Sequence, residues 1–184
     1  MIRLLGISGS LRAASYNSAL LRTAHGLLGP GVTLEIASLR GIPLYDEDER
    51  QRAWPPAVSA LGEALRRADG VLIALPEYNF SIPGVLKNAL DWVSRLPEQP
   101  FAGKPVALMG ASTGRLGTAR AQPHLRQCLQ FLDARTLNKP ELFVGQATQA
   151  FTPGPEPELR DAAARELLAT LLAALLAAIE PRGH

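Results

Sequence analysis

Val71–Arg95, VLIALPEYNFSIPGVLKNALDWVSR, decides the fold. It begins with an unbroken apolar run of strand length, the pattern of a strand covered on both faces. A polar loop, Glu77–Ser81, follows. Pro83 then stands where the first turn of a helix tolerates a residue without an N–H, and Leu86, Leu90 and Val93 recur at the spacing of one helix face as far as Arg95. A doubly covered strand feeding a helix is part of a βαβ unit and predicts a parallel sheet.

The same alternation extends in both directions. Upstream, Ile2–Ser8 reads as the first strand, and a helix over 17–28 turns Leu20, Leu21, Ala24, Leu27 and Leu28 inward before Gly29, Pro30 and Gly31 stop it. Val32–Leu39 reads as the second strand, GIPLYDEDER at 41–50 as exposed irregular chain, and Pro55–Arg67 as a helix opened by two prolines. Downstream, Pro105–Gly110 reads as the fourth strand and Ala119–Leu132 as a helix, with a short fifth strand around Thr136 or Leu142. TPGPEPE at 152–158 is too rich in Pro and Gly for regular structure and leads to a final helix, Leu159–Ile179. No repeat or long linker divides the 184 residues, so one α/β domain over 1–184 is expected. Five strands with intervening helices fit either the Rossmann or the flavodoxin order. In both, a ligand lies beyond the carboxyl ends of the strands, where the order reverses.

Composition removes several classes of function. The chain is 47% hydrophobic and 20% charged, the balance of a soluble globular protein. Its 19 Lys and Arg against 17 Asp and Glu leave +2, scattered rather than striped, so no nucleic-acid partner is expected. Cys128 is the single cysteine, which excludes an internal disulfide and a thiolate-rich metal site and fits a cytoplasmic setting. Flanked by Leu125, Leu129 and Leu132, it reads as a packed side chain rather than a reactive thiol. His25, His124 and His184 are too dispersed for a metal site. Asp91 and Trp92 read as helix surface and packing. The N-terminal apolar run passes straight into a loop without the form of a secretory signal. The apolar stretch Leu167–Ile179 is shorter than the ~20 residues that span a bilayer, so a packed helix is expected there and no membrane.

Three loops then carry the chemistry. SGSLRAASYNS at 8–18 gathers Ser8, Ser10, Ser15, Asn17 and Ser18 at a helix start. There small residues let backbone N–H groups reach phosphate oxygens, the helix end adds partial positive charge, and Arg12 adds a full one. The plainer alternative is that Ser15 or Asn17 merely caps the helix. Gly6-Ile7-Ser8-Gly9-Ser10-Leu11 is no dinucleotide fingerprint, no P-loop lysine follows, and Ser10 replaces the last Gly of a hydrolase elbow. A phosphate monoester such as FMN remains. Pro76, Glu77, Tyr78 and Asn79 lie at the third strand's end, where a flavin ring needs a flat slot, backbone hydrogen-bonding groups and an apolar face; the alternative is an ordinary loop with Tyr78 at the surface. Ser112, Thr113 and Gly114 make a small polar rim after the fourth strand. Arg12 and Arg115 are candidates to meet a nicotinamide cofactor's phosphates, against the alternative of solvated surface arginines.

GSLRAASYN at 9–17 and LPEYNFSIPGVLKNALDWVSR at 75–95, with PLYDED at 43–48 and HLRQCLQFLDARTLNKPE at 124–141, resemble the NADPH-dependent FMN reductase family. These are flavodoxin-like proteins that include quinone, azo-dye and chromate reductases. The resemblance implies a three-layer flavodoxin-like sandwich with a five-stranded parallel sheet in the order 2-1-3-4-5. It implies FMN as cofactor, NADPH or NADH as co-substrate, and a quinone, azo compound, free flavin or metal oxyanion as acceptor. By position it implies phosphate contact by Ser10, Arg12, Ser15 and Asn17, with Ser18 in the same loop. Ring or ribityl contact falls to Pro76, Glu77, Tyr78 and Asn79, and closure of the site to Ser112 and Gly114. No catalytic side chain is expected, because hydride passes to flavin N5 and on to the acceptor in a ping-pong sequence. Family members are typically homodimers or homotetramers, so the helix from Pro83 and the loop Tyr45–Asp48 are expected to meet a partner. The chain departs from the family at Pro123, where an aromatic is common, and in its own spelling of Ala111-Ser112-Thr113. Two rivals share the fold: a flavodoxin-type electron carrier, usually strongly acidic where this chain is +2, and a flavin-binding regulatory module without turnover.

Overall fold

The computed structural model describes residues 1–179, and His184 lies outside them. The strands are β1 (Ile2–Ser8), β2 (Val32–Ala37), β3 (Gly70–Ala74), β4 (Pro105–Ala111), β5 (Arg135–Thr136) and β6 (Leu142–Val144). They form a parallel sheet in the order β2-β1-β3-β4-β5, with β6 also pairing with β4. This is the flavodoxin order. The register sets Ser8 beside Ala74 and Ala74 beside Met109, so β1, β3 and β4 deliver their loops to one common edge.

The sheet has helices on both faces because its inner strands alternate two buried faces. Leu5, Ile7, Val71, Ile73, Val106 and Leu108 pack against α3 (Pro56–Arg67), α4 (Gly84–Val93) and α5 (Ala121–Phe131). Leu4, Leu72, Ala74, Ala107 and Met109 face the other layer, α1 (Tyr16–Leu27) and α7 (Ala162–Ile179). β3 and β4 are buried at every residue. By length and a mean hydropathy of 1.8, α7 is long and apolar enough to cross a membrane. Its leucines 168, 171, 172 and 175 are nevertheless buried in the core.

The structure corrects the sequence reading in five places. The fifth strand is two: β5 and β6 both pair with β4, separated by a segment containing Pro140, which has no N–H to contribute to a ladder. Part of the acidic loop is helical, α2 (Glu47–Arg52), where the Asp46 carboxylate accepts the Asp48 N–H at 2.8 Å. Three acids in its first turn and two arginines in its last complement the peptide dipoles. A short α6 (Ala147–Ala150) lies between β6 and the Pro-rich segment, and α7 starts at Ala162 rather than Leu159. Pro83 is the residue before α4, not inside it.

The chain around α2 docks through α4. Asn88 accepts the Tyr45 N–H at 2.8 Å and donates to the Pro43 carbonyl at 2.7 Å, and the fully buried Trp92 donates its indole N–H to the same carbonyl at 2.9 Å. Tyr45 and Trp54 stand edge-on to Trp92. Hydrogen bonds from Arg50, Tyr45 and Gln51 hold Glu47 at a pKa of about 2. Being lower than its ordinary value of 4.5, this pKa means the cluster's contribution is present at neutral pH and lost as pH falls from about 4.5 towards 2.

At Gly110, β4 lies close against the neighbouring loops. A Cβ there would lie 2.2 Å from the Thr118 hydroxyl and 2.4 Å from the Leu75 carbonyl oxygen. Gly110→Ala is therefore expected to cost roughly 1–3 kcal/mol of overpacking. The check is a lower urea midpoint at unchanged slope; an unchanged midpoint would mean the contact relaxes freely.

Candidate active site at the carboxyl edge of the sheet

The first loop leaves β1 pressed against its neighbour. The Gly9 N–H extends the ladder to the Ala74 carbonyl at 2.8 Å, and a Cβ at Gly9 would sit 3.0 Å from Pro83 and 3.3 Å from Leu75. Ser15 is the N-cap of α1, its hydroxyl accepting from the N–H groups of Asn17 and Ser18. The Asn17 amide accepts the Ala111 N–H at 2.9 Å and donates to the Ala111 carbonyl at 3.0 Å. Both side chains are buried and hold the loop's backbone in place, and the Ser15 hydroxyl, an acceptor in both of its bonds, keeps its own hydrogen to donate. Ser8 and Ser18 share a hydroxyl–hydroxyl bond of 3.0 Å, and Ser10 accepts the Arg12 N–H at 3.3 Å. Among the described residues, the N–H groups of Leu11, Ala13 and Ala14 have no acceptor in the chain. Together with exposed Arg12 and the start of α1 they form an anion-receptive end.

The second loop is a tight turn. Tyr78 and Ser81 exchange backbone hydrogen bonds at 3.1 and 2.9 Å around Asn79 and Phe80, both of which have positive φ, at 50° and 63°. Phenylalanine in that region is strained, and such strain persists only where surrounding contacts hold it. Here the Arg120 guanidinium lies 3.8 Å from the centre of the Phe80 ring, and Ser81 bonds His124 at 3.0 Å. Glu77 accepts the N–H groups of Arg120 and Ala121 at 2.9 Å, placing a carboxylate at the start of α5. Pro76 is buried, whereas Tyr78 and Phe80 are 53% and 64% exposed, so their rings are available to a ligand.

The third loop is braced from β6 and α6. Ser112 donates its N–H to the Val144 carbonyl at 3.0 Å and accepts from the Ala147 N–H at 3.0 Å. Its hydroxyl accepts the Gly114 N–H at 3.2 Å. The space where Gly114 would carry a Cβ is open apart from that hydroxyl at 3.7 Å. The rim is therefore small, polar and fixed.

The sequence-predicted residues thus gather on one edge, in three chemically distinct parts. Phe80, Ser81, Arg120 and His124 were not foreseen; the signal was Asn79, a residue that tolerates positive φ, but its neighbour Phe80 hid the turn. Cys128 lies elsewhere, half-buried between α4 and α5, where burial raises the pKa of its thiol and disfavours the thiolate. Asn17→Ala would leave both backbone groups of Ala111 unpaired in the interior, at about 1–3 kcal/mol for each. It is expected to destabilise the protein in urea more than Ser18→Ala, which breaks one partly buried hydroxyl pair; equal effects would deny the amide its bridging role.

Comparison with known proteins shows the family and the fold of the chain. A model of the family described as NADPH-dependent FMN reductase matches residues 2–149. The chain is 57% identical over 174 residues, 95% of its length and 93% of the relative's, to an NAD(P)H-dependent FMN reductase of Pseudomonas aeruginosa. It is 48% identical over 146 residues, 78% of each chain, to a quinone reductase of Escherichia coli. Among solved structures, the flavoenzyme NAD(P)H:(acceptor) oxidoreductase FerB of Paracoccus denitrificans superimposes with a TM-score of 0.85 at 29% identity, covering 97% of both chains. A flavodoxin of Pseudomonas aeruginosa, with a TM-score of 0.56 at 18% identity over 95% of this chain and 99% of its own, shares the fold. The chain belongs to the NADPH-dependent FMN reductase family.

Proposed function

We propose that this chain is one flavodoxin-like FMN-binding domain that passes two electrons from NADPH or NADH to quinones, azo compounds, free flavin or metal oxyanions. The observation that carries this reading is the convergence, at one sheet edge, of an anion-receptive loop, an exposed aromatic turn and a small polar rim. These parts fit FMN in chemistry and in order. Ser10, the Arg12 guanidinium and the N–H groups of Leu11, Ala13 and Ala14 would hold the phosphate, on a backbone kept in shape by Ser15, Asn17 and Ser18. Pro76, Tyr78 and Asn79 would border the ring, and Glu77 would steady them by tying their loop to α5. Ser112 and Gly114 would close the far side without bulk.

When bound, FMN would supply the two-electron chemistry between nicotinamide and acceptor, used by the two substrates in turn as in a ping-pong scheme. The chain's part is to orient and to polarise. Backbone N–H groups of 76–79 or 111–114, held in place before any ligand arrives, would favour negative charge at the pyrimidine edge. Tyr78 and Phe80 would shelter the open face from water while leaving it reachable by flat acceptors. The names of the Pseudomonas aeruginosa and Escherichia coli relatives support this reading over that of an electron carrier.

The same reading makes the protein a cytoplasmic homodimer or homotetramer. Between α4 and α5 runs a groove lined by Leu90 and by Phe131, which is 78% exposed, a large apolar ring for a lone surface. The docked loop Tyr45–Asp48 lies against the same helix α4. Light scattering should give the mass of a dimer or tetramer, and Phe131→Asp should lower it; a wild-type monomer would contradict the assembly.

The reaction is tested by anaerobic visible spectra of the FMN-reconstituted protein. Bound flavin should bleach on adding NADPH or NADH and recolour on adding a quinone. Flavin that binds but resists both nicotinamides would overturn the reductase reading in favour of a carrier.

A further inference from the structure

A cavity of about 210 Å3 opens beside the first loop, between it and the carboxyl end of β2. In the sheet order it lies on the opposite side of β1 from the loops after β3 and β4. Ser10 and Arg12 line it from the first loop, Ser38 and Arg40 from the segment that follows β2. Two guanidinium groups and several hydroxyls thus border one space, and its lining residues include no carboxylate. The acid in β2, Glu35, is engaged by Arg67 at 3.4 Å. Arg40 is positioned by bonds at both ends: its guanidinium donates to the Leu11 carbonyl, and its backbone N–H donates to the Ser38 hydroxyl at 3.1 Å. Leu11 and Ile36, 36% and 44% exposed, offer apolar surface at the same cavity.

This combination fits an adenosine phosphomonoester: a cationic clamp for the phosphate and an apolar side chain for the base. Arginine suits such a clamp because its fork pairs with phosphate oxygens two at a time. In Rossmann dinucleotide sites, whose glycine fingerprint this chain lacks, an acid after the second strand holds the ribose 2′-hydroxyl of NADH and a nearby arginine accommodates the 2′-phosphate of NADPH, and the chemistry of that discrimination carries over to any site for the adenosine end. SLRG at 38–41 supplies a cation and a hydroxyl at that position and no acid. We propose that this cavity receives the 2′-phosphate of NADPH, which makes Arg40, assisted by Ser38, the determinant of preference for NADPH over NADH. The proposal rests on the reductase reading. The flavin's own phosphate is the other phosphomonoester with access to this edge; it would draw on Ser10 and Arg12 and leave Arg40 aside.

The test is equilibrium binding to the FMN-loaded protein, with adenosine 2′,5′-bisphosphate and 5′-AMP as probes in a calorimeter. Wild type is expected to bind the bisphosphate at least about tenfold more tightly than 5′-AMP, the scale of one charge-assisted contact. Arg40→Gln keeps a donor for the Leu11 carbonyl while removing the charge, and should abolish that preference. Arg40→Lys should restore part of it, and the dissociation constant for FMN should stay within about twofold in both variants. A wild type without preference, or a preference that survives Arg40→Gln, overturns the proposal. So does a large loss of FMN affinity in Arg40→Gln, which would give the cavity to the flavin phosphate. Failure of the reductase reading would show separately, as bound flavin that neither nicotinamide bleaches.

Discussion

The side-chain amide of Asn17 bonds both backbone groups of Ala111, and the candidate site depends on that pair. The two residues lie 94 positions apart in the chain, one in the first turn of α1 and the other at the last residue of β4. Without the pair, a buried strand end and a buried helix start would each keep unmet polar groups. With it, the loop that offers N–H groups to an anion is fixed relative to the loop that forms the polar rim. The middle loop is joined to both neighbours by equally specific contacts. Gly9 allows it to approach the first loop, and Glu77 binds it to α5, which follows the third.

A second anchorage works one layer away. Asn88 and Trp92, one helical turn apart on α4, grip the backbone at Pro43 and Tyr45. The motif KNALDW thus holds a distant loop through main-chain atoms rather than contributing chemistry, and α4 begins just after the turn at Tyr78–Ser81. The helix that carries this grip is the one whose entry fixes the aromatic turn. Scaffold and site are therefore coupled through short, local geometry, and the strained φ of Phe80 is tolerated because α5 supplies Arg120 and His124 to brace it.

The parallel sheet was legible from the apolar runs because burial on both faces leaves little room for polar residues in β3 and β4. The choice of the flavodoxin order was not: strand order depends on which helices cover which face, and it came from resemblance. The split edge at β5 and β6 escaped because strands of two and three residues carry too few side chains to show a period. Helix α2 was hidden by its own acidity, which reads as loop until Asp46 is recognised as a cap. At the candidate site, residue types pointed to the edge where the three loops meet, but a hydroxyl or amide in a phosphate-like loop does not declare whether it serves a ligand or its own backbone. Ser15 and Asn17 bond the backbone, which their residue types alone do not reveal.

The central claim is that one flavin lies across all three loops. A crystal structure of the FMN-reconstituted protein tests it most directly. The account predicts the phosphate within hydrogen-bonding distance of Ser10, Arg12 and the backbone of residues 11–14, and the ring between Tyr78–Asn79 and Ser112–Gly114. A flavin found in the groove between α4 and α5, or bound with its phosphate away from the first loop, would contradict it.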